Sequence, residues 1–256
     1  MTINRPLMDD PQVVFEELME EIKHAILNQP RTLQTEIGPS EYGDPCDRAL
    51  IQRLAGIPQP GEADKVNWRA AVGTWMHDGL ETIFRGSIQR DRFLLEKRVT
   101  VGTYNGQTLA GSCDIYDTAT GIVWDWKSKS ATRLKEAKRH GPTMTYRRQM
   151  HGYGRGYRLL GYDVRHVGNI YLPRDGEYRD ICFYSEPYDE TIVTEALERC
   201  ATFDQLLETF GVETTLAMYP QCDSDDCYYC DTHPRPLGNK TMTPDNPFGL
   251  DLKGTK

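Results

Sequence analysis

No stretch of this 256-residue chain holds the roughly 20 consecutive apolar residues that a membrane-spanning helix needs. Its opening, MTINRPLMDDPQVV, has neither the basic flank nor the apolar stretch of a secretion signal. Seven cysteines are too few for a disulfide scaffold of this length, and an odd number leaves one over. Glycine (22) and proline (15) are too sparse for a collagen-like or low-complexity chain, and no segment repeats. Positive charge is also scarce, with 30 Lys and Arg against 38 Asp and Glu. As an average, a net charge of −8 argues against a nucleic-acid partner. What is left is a globular chain expected in a reducing cytoplasm, its cysteines thiols or metal ligands.

The periodicity predicts helices over 12–29, Cys46–Leu54 and a long stretch in which Val66, Ala70, Gly73, His77, Leu80 and Phe84 share one face. From Phe93 the period drops to two: Leu95, Val99 and Val101 alternate with polar residues up to the hairpin signal Asn105-Gly106. Leu109, Gly111, Cys113 and Ile115 are expected on one face of a second strand, and IVWDWKS forms a third. Helices over about 132–139 and 142–160 follow, the second weakened by Gly152, Gly154 and Gly156. Strands over 164–172 and 178–184 and a helix over 189–210 complete a mixed-sheet α/β order. We expect one domain over 1–231: a helical part (1–60), a core (61–185) and a helix with a cysteine strap (186–231). Residues 232–256, with four prolines and three glycines, read as a tail.

The chemistry concentrates in GSCDIYDTATGIVWDWK, residues 111–127. Side chains alternate along a strand, so Asp125 and Lys127 share one face while Trp124 and Trp126 pack on the other. Asp114 lies on the preceding strand of the hairpin. Two carboxylates on neighbouring strands can converge on a hard divalent cation, and a lysine two residues on places an ammonium beside it. The alternative is a surface hairpin with a solvated Asp–Lys pair, but the apolar face argues for an interior strand.

A Gly-x-x-Asp strand followed by Asp-x-Lys resembles the core of the PD-(D/E)XK nuclease superfamily. Upstream, GTWMHDGLE places His77 and Glu81 four apart, resembling the first motif of RecB-type exonuclease domains. Downstream, Gln149 and Tyr153 in QMHGY resemble that family's Gln-x-x-x-Tyr motif. The resemblance implies a restriction-endonuclease-like mixed sheet flanked by helices. It also implies Mg²⁺ or Mn²⁺ held by His77, Asp114, Asp125 and the Trp126 carbonyl. Lys127 would be the water-positioning group and Glu81 a helper, with Gln149 and Tyr153 on the DNA strand.

Cys222, Cys227 and Cys230 are separated by four and then two residues, a spacing that in a reducing compartment usually binds metal, with Cys46 the candidate fourth ligand. One upstream and three downstream cysteines resemble the iron–sulfur subfamily of AddB and CRISPR-associated RecB-like nucleases, which implies a 4Fe-4S cluster tying the two ends of the domain together. That subfamily spaces its downstream cysteines by two and then five, so a structural Cys₄ zinc site stays open. Cys113, Cys182 and Cys200 are expected to be core thiols.

Charge is unevenly placed. Ten Lys and Arg stand against the single Glu136 between Trp126 and Arg158, whereas residues 186–231 hold twelve acids against Arg199. The basic block, with Lys129, Arg147 and Arg148 and interleaved tyrosines, is expected to track a nucleic-acid backbone. The acidic block would repel DNA elsewhere.

Together these features imply a metal-dependent single-strand DNA exonuclease of recombination or repair, of a kind frequent in phages and working in the host cytoplasm. The resemblance leaves room for a helicase or recombination-protein partner and for a homo-oligomer. The alternatives are a non-catalytic DNA-binding or adaptor module on the same fold, and a redox or zinc protein centred on the cysteines.

Overall fold

The computed structural model describes residues 11–28, 37–57, 66–222 and 227–231. The tail expected over 232–256 lies outside them. Five strands, β1 (Phe93–Tyr104), β2 (Gln107–Asp117), β3 (Ile122–Lys129), β4 (His166–Pro173) and β5 (Cys182–Pro187), form one sheet in that order. Among the described residues seven α-helices accompany them: α1 (Pro11–Leu27), α2 (Asp47–Leu54), α3 (Trp68–Arg85), α4 (Ala131–His140), α5 (Met144–Leu159), α6 (Glu190–Met218) and α7 (Tyr228–Asp231). No helix among the described residues is long and apolar enough to cross a membrane.

The pairing follows from the connections. Asn105 and Gly106 both adopt positive φ (44° and 82°), which lets β1 turn tightly into antiparallel β2. A second short turn brings β3 antiparallel to β2. Parallel pairing of β3 with β4 needs a crossover, and α4 and α5 supply it. The expected mixed α/β architecture is therefore present, with β3 at its centre. Trp124 and Trp126 of β3, with Ile115, pack against Met76, Leu80 and Phe84 of α3. Val123 and Cys113 pack against Met150, Tyr153 and Tyr157 of α5 on the other face.

The three glycines of α5 are contact points. A Cβ on Gly156 would come within 2.5 Å of Val99, and one on Gly154 within 2.9 Å of Val167. Their absence lets α5 lie directly on the sheet, and this burial offsets the roughly 1 kcal/mol that each glycine costs a helix.

Three expectations need correction. Residues 178–180 form a short 3₁₀ turn, capped by reciprocal bonds between Glu177 and Asp180, so β5 starts at Cys182 rather than 178. The last long helix runs on past 210, with a kink at Gly211 (φ 74°, ψ 174°). Most consequentially, Cys113 and Ile115 do not share a face. Leu95 pairs with Ile115 and both join the α3 cluster, whereas Lys97 pairs with Cys113, which joins the α5 cluster. Between them Glu96 takes φ 47°, and neither it nor Asp114 is paired in register. Both strands change face at this seam.

Candidate metal centre and nucleic-acid interface

Asp114 sits at that seam, where the β2–β3 ladder ends. Its Oδ2 accepts the Trp126 backbone N–H (2.6 Å), and its Oδ1 lies 3.0 Å from His77 Nδ1. His77 reaches it from α3, where Gly73, His77 and Glu81 follow one another a turn apart. Burial pulls the His77 pKa down, but the hydrogen bond and charge of Asp114 outweigh it and hold the ring above its ordinary value.

Asp125 and Lys127 stand on the α5 side of β3. The Asp125 carboxylate is buried (2% exposed), accepts from Asn169 Nδ2 of β4 (3.0 Å), and lies 2.5 Å from Lys127 Nζ. Burial pushes its pKa up to about 6 despite the lysine. Lys127 Nζ also donates to Gln149 Oε1 (2.9 Å) and sits 4.8 Å from the centre of the Tyr146 ring. Gln149 in turn donates to the Tyr153 hydroxyl (3.3 Å). Thus α3 and β2 bring His77 and Asp114 together, β3 and α5 bring Asp125, Lys127 and Gln149 together, and the Trp126 N–H of β3 links the first group to the second.

Not every expected residue joins it. Glu81 pairs with Arg85 on its own helix, Arg85 Nε donating at 2.8 Å. Arg147 makes a bidentate pair with Glu186 (2.7 and 2.9 Å), and Arg148 donates to the Gly43 carbonyl (3.2 Å). Arg155 pairs with Glu190. The acidic block thus partly neutralises the basic one. The freely presented positive charge lies on α4, where Lys135, Lys138 and Arg139 are exposed and form no ion pair among the described residues. Lys129 donates to the Tyr146 hydroxyl (2.7 Å) beside a cavity of about 570 Å³ that Arg133, His140 and Tyr171 also line. The Tyr171 hydroxyl is buried and has no hydrogen-bond partner among the described residues.

Glu96 was missed. Its carboxylate, His77 and Asp114 each offer a ligand atom within 4.8 Å of the others. Burial, then the Asp114 charge, push the Glu96 pKa up to about 7. The one hint in the sequence is Lys97, a charge inside the expected apolar alternation of Leu95, Val99 and Val101. One imidazole nitrogen with several carboxylate oxygens is a donor set that suits Mn²⁺ or Mg²⁺, and gathering like charges here is costly without a cation.

The four cysteines singled out by spacing also meet. The Sγ atoms of Cys46, Cys222, Cys227 and Cys230 all lie within 4.8 Å of one another, Cys46 and Cys230 3.6 Å apart. Cys46 caps the start of α2, and Asp44 and Asp47 beside it are tied to Arg199 of α6. A tetrahedral ion with 2.3 Å bonds to sulfur spans edges of about 3.8 Å, so the thiols fit a metal. Cys113 and Cys200 are buried in the core, while Cys182 is half-buried.

No family model matches the chain, and no curated protein does. Among solved structures, SSO0001 is 15% identical with a TM-score of 0.49, over 75% of this chain and 87% of that one. An alkaline exonuclease from Laribacter hongkongensis is 15% identical (TM-score 0.47), over 76% and 95%. A phage-related exonuclease from Haemophilus somnus 129PT is 14% identical (TM-score 0.43), over 70% and 98%. These likenesses are loose, and the chemistry of the site is read from its own side chains.

Proposed function

We propose that this protein is a metal-dependent DNA nuclease of the RecB-like PD-(D/E)XK type, acting as a single-strand exonuclease in recombination or repair. The observation that carries this reading is a pair of neighbouring contact groups, His77 with Asp114 and Lys127 with both Asp125 and Gln149, linked through Trp126, whose backbone N–H donates to Asp114. His77 Nδ1 and the carboxylates of Asp114 and Asp125, with the Trp126 carbonyl by resemblance, would hold Mg²⁺ or Mn²⁺. When bound, such an ion polarises a phosphoryl oxygen and lowers the pKa of a water bound to it.

The chain's own groups do the rest. The Trp126 N–H fixes one Asp114 oxygen and His77 the other, so this carboxylate enters in one orientation. Gln149 and the Tyr146 ring hold the Lys127 ammonium at the carboxylates, where it can orient an attacking water and meet charge growing on the phosphate. Tyr153 fixes Gln149, so the QMHGY motif supports the lysine. The backbone path runs along α4 and Lys129, past the cavity at Tyr146 and Tyr171.

End-labelled single- and double-stranded DNA, with 5′ and 3′ labels in separate reactions, tests the activity and its direction. Wild type is expected to shorten the single strand stepwise with Mg²⁺ or Mn²⁺ and not with EDTA, and Asp125→Ala not to. Equal signals from both would favour the adaptor reading.

The α4 path has its own consequence. Replacing Lys135, Lys138 and Arg139 with alanine should reduce the slope of log affinity against log salt by about 2, at about 0.7 per lost phosphate contact. Arg147→Ala should leave that slope unchanged, since its charge is spent on Glu186. Salt-dependent binding to a labelled oligonucleotide reads both.

A further inference from the structure

We propose that Glu96 is a further ligand of the divalent ion, completing a His77–Glu96–Asp114 group; this deepens the metal-dependent reading and rests on it. The three ligand atoms lie within 4.8 Å of one another. Opposite ligands of one ion at about 2.1 Å span about 4.2 Å, so closing this group around an ion needs only sub-ångström movement.

The fold presents Glu96 to that place by an unusual route. In a regular strand Glu96 would point away from the face of its neighbours Leu95 and Lys97. Instead the chain turns at Glu96 itself, with φ 47°, a region costly for a residue bearing a long side chain. Among the described residues the only other non-glycine with positive φ is Asn105, and it sits in a hairpin turn where that conformation is needed. No turn calls for it at Glu96, which lies inside a twelve-residue strand. The outcome is a carboxylate directed at a second carboxylate, Asp114.

Among the described residues no Lys or Arg answers that charge. Asp125 is engaged by Lys127 and Asn169. Among the described residues neither Glu96 nor Asp114 has an ion pair with Lys or Arg, and His77 is the only cationic candidate in contact with Asp114. Two facing carboxylates with one imidazole form an incomplete electrostatic arrangement that a divalent cation completes. The imidazole nitrogen also tilts the set toward Mn²⁺.

The experiment titrates the full-length protein with Mn²⁺ alone, following the free-ion EPR signal, and repeats it for Glu96→Gln and Asp114→Asn. A residue that only orients a ligand typically changes metal affinity 10–100-fold, so Glu96→Gln should weaken Mn²⁺ binding at least tenfold. Asp114→Asn should do likewise. If Asp114→Asn weakens binding and Glu96→Gln does not, the assignment of Glu96 falls while the metal centre stands. If neither weakens it, the metal centre itself falls. Glu96→Gly separates ligation from folding. Glycine accepts φ 47° without strain, so its metal-free Tm should be unchanged or higher by about 2 °C, while the Mn²⁺-induced rise in Tm is lost. A lower metal-free Tm with an intact Mn²⁺ response would mean that Glu96 only holds the strand together.

Discussion

Lys127→Met is expected to slow metal-dependent DNA cleavage by about 10²–10³-fold, the loss typical of removing one donor aimed at developing charge. The same substitution should destabilise the metal-free protein, and added Mn²⁺ should recover most of that loss. Both effects have one cause. Asp125 is buried at 2% exposure, and among the described residues Lys127 is its only cationic contact. Removing one partner of a buried ion pair leaves an uncompensated charge, at a cost of about 3 kcal/mol. A divalent ion at Asp125 supplies the missing counter-charge, so the melting temperatures of wild type and variant should converge as Mn²⁺ rises. The catalytic loss should not be recovered, because the metal replaces the lysine as a counter-charge and not as a donor to water or phosphate. Gln149→Leu is a useful contrast. It takes away the acceptor that holds the Lys127 ammonium and leaves the Asp125 pair in place. Its cleavage defect should be smaller, with little change in metal-free stability. Melting curves with and without Mn²⁺, beside single-turnover cleavage, measure all of this; a Lys127→Met protein that cleaves at the wild-type rate would remove the lysine from the mechanism.

Some of this was legible in the sequence because its physics is local. Asp125 and Lys127 sit two apart on a strand made interior by Trp124 and Trp126, so alternation alone puts them on a common face. Cys222, Cys227 and Cys230 announce themselves by spacing. The strand order and the crossover between β3 and β4 follow from a hairpin signal and two intervening helices. What escaped depends on tertiary circumstance. The turn of face at Glu96 breaks the period-two pattern, and no propensity marks a glutamate for positive φ. The charge blocks misled because they read as separate runs along the chain. In the fold, β5 and the start of α6 lie against α5, so Glu186 meets Arg147 and Glu190 meets Arg155. The glycines of α5 looked like weaknesses of an isolated helix, and only their close contacts with Tyr42 and Val101, Val167, and Val99 explain them.

Cys230→Ser is expected to lower the melting temperature by about 10 °C, at 2–4 °C per kcal/mol for a domain of this size. The thiols join residues 184 apart in sequence, at the start of α2 and in α7. Burial, with the neighbouring thiols adding to it, raises Cys46 well above the ordinary thiol range, and burial pushes Cys227 up to about 11. Without an ion the Cys46 and Cys227 thiols stay protonated, and neutral thiols offer little to hold α7 in place. A bound metal displaces the protons, and its binding energy becomes folding energy. The effect should spread beyond the clasp. On one side Gln52 of α2 donates to the Tyr229 carbonyl, and on the other Leu50 and Ile51 pack in the cluster of Val193, Leu197 and Phe203 from α6. Tyr42, just ahead of α2, donates to the Arg148 carbonyl on α5, next to Gln149. Loosening α2 therefore reaches the helix that holds Lys127, and cleavage should lose heat resistance before it loses rate at low temperature. The identity of the metal divides two readings. The 3.6 Å separation of Cys46 and Cys230 matches a single tetrahedral zinc, whereas a 4Fe-4S cluster, with iron corners between the thiolates and its core, sets them farther apart. Protein purified without oxygen and analysed for metal decides between them: a brown solution with broad absorbance near about 400 nm requires the cysteine strap to open around a cluster, and a colourless one carrying one zinc leaves it as it stands. A metal-free protein that melts with the wild type would deny the clasp any structural role.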